Sequence, residues 1–277
     1  MDLNAKGSAL ITGASSGIGA AYADRLARRG YDLILVARRR ERLDALAKEL
    51  GDETGTKAQV VAADLTSKDD LAAVEQVLRE NTAITMLVNN AGIAMRGNLA
   101  GADPDMLEKL IQLNVLAPSR LTSAVLPNFL ARGSGDIINI SSAVALAPEL
   151  LNASYAGTKG YILNLSLKLQ KEVAGTGVHV QLVMPGAVRT PIWEKTGDDI
   201  NAFPQEMIME LDDMVDAALA GFDLGEAVTI PSLPDSADWE AFQDARLSLM
   251  PKISRNCPAE RYGVNCTSAR HSAAGGA

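Results

Sequence analysis

Tyr155 and Lys159 stand four residues apart in the run Ser154-Tyr155-Ala156-Gly157-Thr158-Lys159. On a helix that spacing puts the phenol and the ammonium on one face, one turn apart. A free phenol titrates near pH ~10 and is a poor acid–base group at neutral pH. A fixed cation beside it favours the phenolate and lowers that value. The pair then suits moving a proton to or from an alcohol oxygen. Such a spacing is common on helices, where a lysine lying over a tyrosine is the simpler reading, so its setting decides.

That setting begins at the other end of the chain. The apolar run Ser8-Ala9-Leu10-Ile11 leads into Thr12-Gly13-Ala14-Ser15-Ser16-Gly17-Ile18-Gly19, and a helical pattern follows through Tyr22, Leu26 and Arg29. Strand, glycine turn and helix form the context of a dinucleotide site. Gly13 permits the tight turn, Gly17 lets backbone approach a pyrophosphate, and Gly19 lets helix and strand pack closely. The free N–H groups of the first helical turn face the anion.

The elements that must position these groups alternate. Apolar runs predict strands at 8–12, 31–36, 58–62, 85–88, 136–140, 178–184 and 227–231. Helical patterns fall near 17–29, 40–50, 68–80, 104–130, 154–174 and 205–221. Ser67 and Asp103-Pro104 are helix starts. This alternation implies an α/β fold, a doubly wound parallel sheet of Rossmann type in a single domain. The ligand then lies at the carboxyl ends of the strands.

The glycine spacing Gly-x-x-x-Gly-x-Gly, the turn Asn89-Asn90-Ala91-Gly92 after the strand Thr85 to Val88, and Ser142, Tyr155 and Lys159 come in order. Over roughly Lys6 to Ser232 the chain therefore resembles the short-chain dehydrogenase/reductase family, in its short single-domain branch. The resemblance implies hydride transfer between nicotinamide and a carbonyl carbon, with Tyr155 as acid/base and Lys159 lowering its pKa and binding the nicotinamide ribose. It puts Ser142 on the substrate oxygen, with Ser141 the competing assignment. Asn114 matches the helix asparagine that positions a water behind Lys159 for proton relay. Ser15, Ser16 and Ile18 belong to the cofactor turn. Asp64 and Leu65 match the adenine-binding pair, and Asn90, Ala91 and Gly92 the turn under the adenosine ribose. Pro185, Gly186, Val188 and Thr190 match the stretch that meets the nicotinamide.

Cofactor choice follows from the second strand. An NAD site wants an acidic residue about 20 residues past the glycines. Here the chain reads Val36-Ala37-Arg38-Arg39-Arg40, with no Asp or Glu. Guanidinium groups suit a 2′-phosphate, so the expected cofactor is NADP in preference to NAD. The resemblance puts Arg38 first on it and Arg39 second, while Arg40 and Arg42 read as a solvated helix start.

Charge and composition narrow the rest. The net charge is −8, which argues against a nucleic-acid surface. No apolar run approaches the ~18 residues of a membrane span, and the first strand leaves no room for a signal peptide. A cytoplasmic protein is expected, with Cys257 and Cys266 as free thiols. His179 and His271 form no metal constellation. The sequons at Asn139, Asn152 and Asn164 fall in core elements, which argues against glycosylation. Apolar residues spread around the helix from Tyr155, which with the resemblance implies a homodimer or homotetramer.

The substrate side reads as apolar. A lid over 191–212 offers Ile192, Trp193, Phe203 and Met207, facing Val144, Leu146, Leu150 and Leu151, which suits a hydrophobic ketone or secondary alcohol, or a 3-oxoacyl thioester. The domain is expected to span 1–253, with a helix over Asp235 to Leu249 and a disordered tail over 254–277. A non-catalytic NADP-responsive binding protein is the alternative function. Such proteins lose the tyrosine or the lysine, and this chain keeps both. A sugar-nucleotide epimerase or dehydratase fits less well, since those chains are longer and space their first glycines differently.

Overall fold

A computed structural model describes residues 6–193, 199–264 and 266. The chain divides into two compact units, residues 1–232 and 233–277.

The first unit is built on a seven-stranded sheet, ordered β3-β2-β1-β4-β5-β6-β9, with every neighbouring pair parallel. The strands are β1 Ser8–Thr12, β2 Asp32–Ala37, β3 Ala58–Ala62, β4 Ile84–Asn89, β5 Gly135–Ile140, β6 Val178–Val183 and β9 Val228–Thr229. The central strands are buried along nearly their whole length, as a parallel sheet covered on both faces requires. Helices α1 Gly17–Arg28, α2 Arg40–Thr54 and α7 Leu211–Asp223 close one face around Tyr22, Leu26, Leu43 and Leu219. Helices α3 Lys68–Glu80, α5 Ala117–Arg132 and α6 Ala153–Glu172 close the other around Leu71, Leu78, Phe129 and Leu169. The strand order reverses between β1 and β4, so the turns after them lie side by side and open the crevice where such sheets bind ligands.

Three expected elements differ. The single helix expected over 104–130 is α4 Pro104–Ile111, a π turn Gln112–Leu116 and then α5. Asn114 lies in that π turn, and its side chain bonds outside the helix, which accounts for the break in periodicity. The helix expected from 205 starts at Leu211, preceded by a 3₁₀ turn Gln205–Met207 and a short strand β8 Ile208–Met209. β8 pairs in parallel with β7 Ala187–Val188. The last sheet strand covers only 228–229 of the expected 227–231.

The second unit holds α8 Ser236–Leu247, capped by the Asp235 carboxylate on the Ala237 N–H at 2.9 Å. It has no buried residue, and Phe242, Leu247 and Leu249 are exposed. The compact unit that carries the sheet ends at Ser232, within the 1–253 expected for the oxidoreductase domain. The expectation of free thiols is overturned: Cys257 and Cys266 form a disulfide. Of the tail expected to be disordered, residues 254–264 and 266 are described, with a 3₁₀ turn at Glu260–Tyr262, and residues 265 and 267–277 lie outside the described residues. So do 194–198 of the expected lid. Among the described residues no helix is long and apolar enough to cross a membrane, and no group of three or more His, Cys, Asp or Glu could hold a metal ion. Of the three sequon asparagines, Asn139 and Asn152 are buried and Asn164 is exposed on α6.

Candidate active site

Helix α6 carries the phenol and the ammonium, and its first turn is set by one side chain. The Asn152 Oδ1 accepts the backbone N–H of Ser154 at 2.9 Å and of Tyr155 at 3.3 Å, so the helix begins where Tyr155 must sit. Tyr155 and Lys159 are then 8% and 7% exposed. The Lys159 Nζ donates to the Ile140 carbonyl at the end of β5 at 3.1 Å, and lies 5.8 Å from the Tyr155 ring centroid.

Ser142 follows β5. Its hydroxyl lies near enough to Tyr155 to favour the phenolate and donates to the Pro185 carbonyl just past β6 at 3.4 Å. Ser141 turns away, donating to the Lys159 carbonyl at 2.8 Å. The alternation of side chains along a strand end separates the two serines, and only Ser142 reaches the phenol.

The electrostatics correct one expectation. Burial pushes the Tyr155 phenol up to about 12, partly offset by the Ser142 hydroxyl, instead of Lys159 drawing it down. Burial also pushes Lys159 down to about 8. Both charged forms lose solvation here, and the ammonium bonds a carbonyl rather than the phenol oxygen. At neutral pH the tyrosine therefore holds its proton.

Asn114 sits behind this pair, 3% exposed. Its amide donates to the Ile93 carbonyl at 2.8 Å and to the Thr158 hydroxyl at 3.2 Å, and its Oδ1 accepts the Ile93 N–H at 2.9 Å. A small cavity of about 10 Å³ lined by Thr12, Asn89, Asn114 and Lys159 has the size of one water molecule. The buried Asn89 Oδ1 has no protein hydrogen-bond partner.

Of the residues expected at a cofactor, those of the first glycine turn meet the turn after β4. Thr12 joins the two turns: its hydroxyl accepts from the Asn90 and Ala91 N–H groups at 3.0 Å, and its carbonyl accepts from the Asn90 side chain at 2.8 Å. A Cβ on Gly13 would lie 2.8 Å from the Asn90 Nδ2, and one on Gly19 2.5 Å from it. Both glycines are thus required by packing against Asn90. Gly17 adopts φ +58° and faces Thr190 and Pro191. Ser16 caps α1 with no side-chain bond, and the first turn carries no acidic residue. Ile18 packs on the α1 side of the core. The turn therefore fits a nucleotide pyrophosphate, which free N–H groups at a helix start would hold.

At the far end of the crevice, Arg39 extends over the turn to within 3.3 Å of the Ser15 hydroxyl and 3.5 Å of the Ser16 hydroxyl. Burial and its neighbours Arg42 and Arg38 lower its pKa, as expected where cations crowd together. Arg38 is exposed, 4.0 Å from the Asp64 carboxylate. That carboxylate also accepts the Thr66 N–H and hydroxyl. Leu65 is buried and Gly92 is exposed. Gly186 follows Pro185 into β7, where Val188 is buried and its carbonyl accepts the Trp193 indole N–H at 2.7 Å.

The lid is less regular. Trp193 and Phe203 meet at 5.2 Å between ring centroids. Arg189 spreads its guanidinium over Glu210 at 2.9 Å, Asn201 at 3.2 Å and Gln205 at 3.2 Å. Beside it lies an open cleft of about 470 Å³ lined by Thr190, Trp193 and Ile200. On the opposite wall Val144 packs with Tyr155, whereas Leu150 and Leu151 are exposed.

Sequence reasoning missed three residues of this arrangement. Thr12 gave a signal, a polar residue ending an apolar strand. Asn152 gave one too, a cap-forming residue three before Tyr155. Arg189 gave none, since its partners lie twelve to twenty-one residues away.

Comparison with known proteins follows the same lines. The family model for short chain dehydrogenase matches residues 8–201. A short-chain dehydrogenase from Sphingobium yanoikuyae, solved in complex with NADPH, is 50% identical, with a TM-score of 0.90 over 92% of this chain and 99% of that one. A bulky-bulky ketone specific alcohol dehydrogenase from Comamonas testosteroni is 45% identical, with a TM-score of 0.85 over 92% and 98%. An uncharacterised oxidoreductase of Staphylococcus epidermidis is 34% identical over 76% of this chain and 88% of its own. A family match across most of the chain, and relatives aligned over nearly their full length, agree with the crevice and its turn: the chain belongs to the short-chain dehydrogenase/reductase family and is an oxidoreductase.

Proposed function

We propose that the protein moves a hydride between NADP(H) and a ketone or secondary alcohol, with Tyr155 as acid and base. The observation that carries this reading is the buried phenol, beside the Ser142 hydroxyl and with the Lys159 ammonium one helical turn away. When bound, NADPH supplies the hydride that the carbonyl carbon accepts.

The side chains do the rest. A carbonyl oxygen within reach of both hydroxyls is held by Ser142 and receives the proton of Tyr155. With its pKa at about 12, the tyrosine is protonated at neutral pH and ready as an acid for reduction. Lys159 steadies the phenolate that results, and Asn114 with a water in the adjoining cavity returns a proton to it. Water exclusion at this buried position strengthens each interaction.

For the cofactor, the turn from Gly13 to Gly19 takes the pyrophosphate. Asp64, Leu65, Asn90, Ala91 and Gly92 flank the adenosine, and Pro185, Gly186, Val188 and Thr190 flank the nicotinamide. Arg39 over Ser15, with Arg38 beside it, takes the 2′-phosphate, and the lack of an acidic residue at the end of β2 supports NADP over NAD. The apolar walls around Met95, Val144, Trp193 and Phe203 suit a hydrophobic ketone. The Comamonas relative supports one with two large substituents. Exposed Ile111, Leu116 and Tyr161 on α4 to α6 support assembly of two or four copies through these helices, and the protein acts in the cytoplasm.

The test is consumption of NADPH and of NADH against aryl, dialkyl and cyclic ketones and 3-oxoacyl thioesters. NADPH oxidation dependent on a bulky ketone, with NADH at least about tenfold poorer, is expected. NADPH binding with no turnover on any carbonyl compound would overturn the reading in favour of a nucleotide-responsive binding protein.

A further inference from the structure

The five-residue arch Ile93–Gly97 between β4 and α4 is tied down at both ends by asparagine side chains. At Ile93 the Asn114 amide takes both backbone groups, at 2.8 and 2.9 Å. At the other end the Asn152 Nδ2 donates to the Gly97 carbonyl at 2.5 Å and to the Arg96 carbonyl at 3.4 Å. Between the ties, Ile93, Ala94 and Met95 pack on Leu110, Val144 and Tyr155 itself.

Asn152 is 7% exposed and uses both halves of its amide. The oxygen starts α6 at Tyr155, and the nitrogen holds the arch. An amide that short reaches both partners only if the arch stands at one distance from the helix start. Burial makes the unpaired alternative costly, so the distance is fixed. Asn114 reinforces it through Thr158, whose hydroxyl donates to the Tyr155 carbonyl at 2.8 Å.

We propose that Asn152 is a positioning residue for substrate: by clamping the arch to the start of α6 it sets the gap between the Met95 wall and the Tyr155 phenol, and so selects among ketones by size. This rests on the reading of Tyr155 as the proton donor. A purely structural cap would need only the oxygen.

The oxygen and nitrogen functions separate by substitution. Asn152→Ser retains a capping hydroxyl for α6 and loses the donor to Gly97 and Arg96. Asn152→Ala loses both and measures the cap. In Asn152→Ser, tryptic cleavage after Arg96, in the arch, should quicken by about tenfold or more, with the helicity of α6 unaffected. KM for a bulky ketone should rise about tenfold, while KM for a small ketone changes less than about threefold, with NADPH affinity retained. Unaltered cleavage in the arch would overturn the clamp whether or not any ketone is turned over. Equal losses on small and bulky ketones would overturn the selection and leave a simple cap. Absence of ketone turnover in the wild type would sink the proposed reaction, and the cleavage measurement would still judge the clamp.

Discussion

Two segments, the arch after β4 and the stretch after β7, are held in opposite ways. The arch at 93–97 is bonded by two buried amides, Asn114 and Asn152, at 3% and 7% exposure. The lid, over its described part at 189–193 and 199–210, is gathered by the Arg189 guanidinium, whose side chain is 38% exposed. A buried hydrogen bond cannot be exchanged for water, so breaking it costs the desolvation of both groups. An exposed ion pair loses little when solvent replaces the partner, typically about 0–1 kcal/mol. The arch is therefore fixed more firmly than the described part of 189–210. The arch packs on Tyr155, the proton donor proposed above, where positional error would be least tolerable.

The sharpest break of this contrast is at Lys159, the charge buried on the fixed side. Lys159→Met should lower ketone reduction by about a hundredfold or more, yet raise stability near pH 7 by about 2 kcal/mol, because a buried ammonium is removed. The sign follows from its pKa of about 8 in the folded chain against 10.5 ordinarily. Between those values the unfolded state binds more protons, so wild-type stability rises with pH across that window. The methionine variant should lack that rise in urea titrations at pH 7 and 10. In the wild type, kcat/KM for reduction should fall above about pH 8 as the ammonium that steadies the phenolate is lost.

Asn114→Ala comes next. It strands the half-buried Ile93 N–H and carbonyl, and should cost about 1–3 kcal/mol in urea unfolding with loss of activity on every ketone. The smallest effect belongs to the lid. Arg189→Gln should shift stability by less than about 0.5 kcal/mol and change KM for ketone a few-fold, with kcat nearly retained. A destabilisation by Arg189→Gln as large as that by Asn114→Ala would erase the distinction between the two segments.

The same distinction governs what could be read in the sequence. Strands β1, β4, β5 and β6 announce themselves because both their faces are buried, and unbroken apolar runs follow from that. The glycine turn, Ser142, Tyr155 and Lys159 stand at characteristic intervals, and the structure brings all of them to one crevice. The π turn at Gln112–Leu116 was not legible, because it follows from a bond to Ile93, twenty-one residues away. The lid was misread as helix from 205, since a two-residue strand whose register depends on β7 leaves no periodicity. Burial also reversed the expected direction of the Tyr155 shift, a property that the Tyr-x-x-x-Lys spacing alone does not carry. The disulfide between Cys257 and Cys266 lay outside any pattern that the composition suggested.

The most direct test of the account is Tyr155→Phe, which removes one oxygen from a buried ring that otherwise still packs. With NADPH binding retained within about twofold, ketone reduction should fall by a factor of about 10²–10⁴. Ketone reduction at the wild-type rate in that variant would contradict the assignment of Tyr155 as the proton donor, and with it the reason for the arch to be fixed so tightly.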